Sequence, residues 1–126
     1  MLRSSRDDPT QYPFIEPWAI VKLRKHSRFA VQLPAVYTAE NIQSNGVVFN
    51  LSAEGCAIGG SMIMPKGAYL ALQVSLSDQA SAPLEVELGA VRWSTERQFG
   101  VEFIRLKDED SARLRAYAQL LQMHTE

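Results

Sequence analysis

Leu70-Ala71-Leu72-Gln73-Val74-Ser75-Leu76 alternates apolar and polar at every step, so Leu70, Leu72, Val74 and Leu76 share one face of an extended chain. The same period of two recurs on both sides of it. Upstream, Phe29, Val31 and Leu33 share a face, and Val36 and Tyr37 continue beyond an interruption at Pro34. Asn45-Gly46 reads as a hairpin loop, Val47 to Leu51 as the return strand, and Cys56 to Ile58 as a short strand ending at Gly59-Gly60. Downstream, Leu84, Val86 and Leu88 resume the alternation. Val91 and Trp93 carry it on the other parity, which marks a bulge at Gly89. Phe99, Val101 and Phe103 form the last strand. Short strands at this spacing predict a β-rich fold, an antiparallel barrel of six strands, closed or split, that leaves no exposed edge.

The period changes after Lys107. Asp108, Glu109 and Asp110 crowd a first helical turn, where negative charge opposes the helix dipole. Leu114, Tyr117, Ala118 and Leu121 then recur at helical spacing, with Leu120 widening the stripe. This predicts a C-terminal amphipathic helix, serving as a lid on one barrel end or as a dimer contact. The expected organisation is a flexible lead and arm over 1–23, a barrel over 24–106 and the helix over 107–126. Within the arm, Phe14 to Leu23 is apolar enough to lay Trp18 or Ile20 on the barrel.

Composition narrows the function. The chain has 126 residues, with 13 Lys and Arg against 14 Asp and Glu. One domain of this length buries a core without staples. The charge balance leaves no broad basic field, which argues against general nucleic-acid binding. A single cysteine, Cys56, forms no internal disulfide and agrees with a reducing compartment. With no His or acid beside it in sequence, it reads as a small buried residue rather than a nucleophile. Met1 to Thr10 lacks the apolar core of a signal peptide, and no later run approaches a membrane span, so a soluble, cytoplasmic protein is expected. His26 and His124 lie far apart and give no metal spacing with Cys56. No phosphate loop, nucleophile elbow or paired-carboxylate motif is present, and no catalytic set is expected.

Two short segments carry chemistry. Arg24-Lys25-His26-Ser27-Arg28 holds two guanidinium groups four residues apart, and Asn50-Leu51-Ser52-Ala53-Glu54-Gly55 is a polar turn between apolar runs. An arginine fork grips a phosphate or the O6/N7 edge of guanine bidentately and also stacks on a base. Asn50 and Ser52 offer short polar groups, and Gly55 allows a positive φ or a close backbone approach. Taken singly, the arginines read equally as solvated charges and the turn as an ordinary one. Their order and separation within a β-rich chain resemble the PilZ domain, the bacterial receptor module for cyclic di-GMP. The Gly89-Ala90-Val91-Arg92-Trp93 and Phe99-Gly100-Val101-Glu102-Phe103 runs look like its closing strands, extending the resemblance from about Arg24 to Leu106.

The resemblance implies a six-stranded split barrel and a non-enzymatic receptor whose ligand residues are Arg24, Arg28, Asn50, Ser52 and Gly55. It implies no cofactor and no metal, a cyclic di-GMP ligand and a partner protein that receives the signal, with the chain monomeric or homodimeric. Leu23, just before the first arginine, carries no donor for an additional guanine, so one ligand per chain is expected. His26 falls at a position the family pattern leaves open. Asn50 departs from the more common Asp and keeps an acceptor without its charge. Two other classes stay open: a PilZ-like adaptor that binds protein and no nucleotide, and an oligonucleotide-binding barrel, which would show several exposed aromatics and a basic groove.

Overall fold

The structure, a computed structural model, describes residues 28–78 and 82–125. Expectations placed on the arm over 1–23, on Arg24 and on His26 lie outside the described residues. Six strands run antiparallel: β1 (Phe29–Ala39), β2 (Ile42–Leu51), β3 (Gly55–Gly60), β4 (Tyr69–Val74), β5 (Leu84–Ser94) and β6 (Gln98–Arg105), followed by helix α1 (Asp108–Thr125). They close into a barrel in the order β1-β2-β3-β6-β5-β4, so each strand has two neighbours.

The alternation read in the sequence fills the interior. Leu33, Ala35 and Tyr37 from β1, Val48 and Leu51 from β2, Cys56 and Ile58 from β3, and Leu70, Leu72 and Val74 from β4 are buried. Leu84, Val86 and Val91 from β5 and Phe99 and Val101 from β6 complete the core. Tyr37 meets Phe99 edge to face with ring centroids 5.3 Å apart, and its hydroxyl donates to the Met62 carbonyl. Leu114 and Tyr117 close one end as part of the same cluster. Arg113 holds α1 there by a two-pronged bond to Asp78, each prong 2.9 Å long, and the Tyr117 hydroxyl meets Ser77 Oγ at 2.6 Å. The apolar stripe therefore divides: Leu114 and Tyr117 enter the core, whereas Leu120 and Met123 stay exposed.

Two local expectations are corrected. The β1–β2 hairpin turns at Glu40 and Asn41, with φ of 50° and 68° and Ala39 paired to Ile42 across them. Two successive left-handed residues match the twist of the flanking strands. Asn45 and Gly46 lie inside β2, where Gly46 is required for packing: a Cβ there would fall 2.8 Å from the Gly59 carbonyl oxygen and 3.1 Å from the Tyr37 ring. Pro34 does not interrupt β1. Its carbonyl accepts the Ser75 N–H at 2.9 Å, on the β4 side, yet the β1–β4 ladder begins only at Ala35. The missing proline N–H thus faces the end of a ladder and removes no rung.

Candidate functional site

Strand register brings the described members of the two motifs together. Phe29 lies opposite Leu51 and Ala30 opposite Asn50, which sets Arg28, just before β1, alongside the turn that Ser52 opens. Arg28 is half-buried, and its guanidinium and the Cys56 thiol act on each other electrostatically. Burial lowers the Arg28 pKa from its ordinary value, with Cys56 opposing, while burial pushes the Cys56 thiol up to about 12, with Arg28 opposing. Cys56 is therefore a neutral, fully enclosed thiol.

The turn is built by its own polar groups. Ser52 donates its N–H to the Gly55 carbonyl at 2.9 Å, and its hydroxyl accepts the Glu54 N–H at 3.2 Å and donates to the Gly55 carbonyl at 3.4 Å. Ser52 is only 2% exposed, so its hydroxyl faces its own backbone. The Glu54 carbonyl accepts the Phe103 N–H at 2.8 Å and ties the turn to β6. Gly55 meets β6 so closely that a Cβ would sit 2.4 Å from the Val101 carbonyl oxygen. Close backbone approach, rather than a positive φ, is what requires glycine there.

Through Asn50 a row of outward-facing positions crosses five strands: Ala30, Asn50, Ala57, Gly100 and Trp93 follow one another by register, with Ala57 and Gly100 buried. The row is a low floor of small residues walled by Trp93, whose indole lies against Gly100. Trp93 is half-buried and belongs to this outer wall, not to the barrel interior. Beside it, Arg92 Nε meets Glu102 Oε1 at 2.8 Å, which offsets an acidic group next to Gly55. Asn50 makes no side-chain hydrogen bond among the described residues.

Sequence reasoning passed over Phe49. A bulge between Val48 and Asn50 makes Phe49 the extra residue against β3, so Phe49 and Asn50 both leave the core while Val48 and Leu51 enter it. The ring rests on Gly59, where a Cβ would lie 2.7 Å from Cε2. A depression of about 480 Å³ opens there, lined by Phe49, Asn50, Gly59, Gly60, Arg97 and Gln98. Strict alternation conceals this residue. A bulge adds one position that no period of two foresees.

A family model of the PilZ domain matches residues 22–120. The chain belongs to the PilZ domain family. As a PilZ domain it is similar in structure to the inhibitor of motility MotI/DgrA of Bacillus subtilis, with a TM-score of 0.67 and 20% identity. That match covers 80% of this chain and 52% of the other, so the chain spans about half the inhibitor's length. It is also similar to the PilZ domain of CeSA from a cellulose-synthesizing bacterium, with a TM-score of 0.56 and 12% identity over 79% of this chain and 98% of that one. At these identities the likeness bears on the fold. No curated protein matches the chain in sequence. Among the described residues, no group of three His, Cys, Asp or Glu is placed to hold a metal, and no helix is long and apolar enough to cross a membrane.

Proposed function

We propose that this PilZ domain is a bacterial, cytoplasmic and non-enzymatic receptor for cyclic di-GMP that signals to a partner protein. The observation that carries the proposal is the register that sets Arg28 against the Ser52–Gly55 turn, with Asn50, whose amide makes no hydrogen bond among the described residues, on the adjoining outward row. In this account Arg24 and Arg28 grip the phosphates and a guanine edge of the dianion, the contacts that planar guanidinium forks make best. Asn50 meets a guanine edge through its amide. Ser52 and Gly55 act mainly as shape, holding the turn low so that the ligand reaches the floor. Ligand binding at Arg24 and Arg28 shifts a conformational population, and the arm over 14–23, covalently joined to Arg24, passes that shift to the partner. The residues fit a ligand of this chemistry: an arginine whose burial disfavours its charge gains from an anionic partner.

A protein-binding adaptor without nucleotide remains the second reading. It is favoured by one feature, the burial of the Ser52 hydroxyl in its own turn, which leaves Asn50 without help from that side chain. Calorimetric titration of the full chain with cyclic di-GMP separates the two. Saturable heat at one ligand per chain supports the receptor, and no heat supports the adaptor.

A further inference from the structure

The 480 Å³ depression lies within the range of small-molecule sites, roughly 300–1,000 Å³, whereas two others on the barrel, of about 200 and 240 Å³, fall below it. It includes Asn50, and among the described residues Arg28 is not part of its lining. Three features build it. The bulge turns Phe49 outward beside Asn50, although a regular strand would bury one of the two. Gly59 leaves room for the ring, which remains 40% exposed despite its size. Arg97, exposed on the β5–β6 turn, supplies a guanidinium. Arg92, Arg105 and Arg113 each pair with a carboxylate, but the Arg97 side chain makes no ion pair among the described residues. Its turn is fixed, since Thr95 Oγ1 accepts the Arg97 and Gln98 N–H groups, both at 3.2 Å.

An aromatic face, a free arginine fork and an adjoining amide make a receptacle for a purine base. Any base stacks on an aromatic ring, but the O6/N7 edge that an arginine fork reads belongs to guanine. We propose that Phe49 and Arg97 form a base subsite next to Asn50, which takes one guanine of the ligand stacked on Phe49 with its O6/N7 edge held by Arg97. This rests on the cyclic di-GMP reading and extends it to residues outside the two motifs. One guanine then lies on the β2–β3–β6 face, while the phosphates stay with the arginines that precede β1.

The test is calorimetry of the full chain with cyclic di-GMP and cyclic di-AMP, using wild type, Phe49→Ala, Phe49→Trp, Arg97→Ala and Arg28→Ala. Phe49→Ala and Arg97→Ala are each expected to weaken cyclic di-GMP binding about 10- to 100-fold, with Phe49→Trp retaining it. Arg97→Ala should also narrow the preference for cyclic di-GMP over cyclic di-AMP by about tenfold, which a merely structural role would not do. Thermal melts without ligand accompany each variant, and unchanged melting of Arg97→Ala is expected from its exposed position. Wild-type affinity and preference in both Phe49→Ala and Arg97→Ala, with binding lost in Arg28→Ala, would overturn the subsite and leave the receptor standing. No heat from the wild type would overturn both.

Discussion

The Trp93 indole lies against the backbone of Gly100: a Cβ on Gly100 would fall 2.1 Å from its Nε1 and 2.3 Å from its Cε2. Gly100→Ala must therefore move the indole off the outer floor. Overpacking of this kind costs about 1–3 kcal/mol. We expect a lower melting temperature, a changed tryptophan emission and weaker ligand binding. Trp93→Ala, which removes the wall without the clash, should retain more stability than Gly100→Ala; the reverse order by thermal melting would show that the indole is mainly a packing residue.

Ser52→Ala removes the acceptor for the Glu54 N–H from a buried turn. Its expected cost is about 1 kcal/mol of stability. Affinity should fall with it, because the turn shapes the floor. Gly55→Val is expected to be far worse, since its side chain would overlap the Val101 carbonyl. Denaturant titration measures both. Full stability in Ser52→Ala with lost affinity would mean that the hydroxyl acts on the ligand instead of on its own turn.

Asn50→Asp adds a carboxylate where guanine N–H donors are expected. Hydrogen bonds to charged groups are worth about 1 kcal/mol more than neutral ones, so affinity should tighten roughly fivefold. Calorimetry reads the change directly. Weakened binding would instead place the phosphates beside this position.

Cys56 gives the protein an alkaline limit. Its folded pKa of about 12 exceeds the ordinary 9.0, so the native state keeps a proton that the unfolded chain releases. Its contribution to stability is complete below pH 9 and is lost as pH rises toward about 12, on the order of 1.4 kcal/mol per unit. Cys56→Ala should show a shallower fall in melting temperature between about pH 8 and about pH 10.5. In the native wild type the thiol should resist alkylation until the chain unfolds.

Much of this architecture is legible in sequence because a barrel with one packed face writes its period into each strand. Leu70, Leu72, Val74 and Leu76 follow it without exception, and all are buried. The bulge read at Gly89 also appears, since β5 carries an extra residue against β4 between Val86 and Gly89. What escapes is whatever depends on neighbours remote in sequence. Asn45-Gly46 carries the strongest local turn signal in its region, yet Gly46 serves close packing against Tyr37 and Gly59, and the less typical Glu40-Asn41 makes the turn. Of the candidate site, the short-range turn from Ser52 to Gly55 is readable. The outward row from Ala30 to Trp93 exists only once five strands are in register, and Phe49 comes to lie beside it only through a bulge.

The receptor assignment stands or falls on titration of the purified full chain with cyclic di-GMP, wild type beside Arg28→Ala and Arg28→Lys. The expected result is saturable binding at one ligand per wild-type chain, weakened by about 1–3 kcal/mol in Arg28→Ala and poorly rescued by lysine, whose point charge reproduces neither fork nor stack. Absence of heat in the wild type, or wild-type affinity in Arg28→Ala, would contradict it.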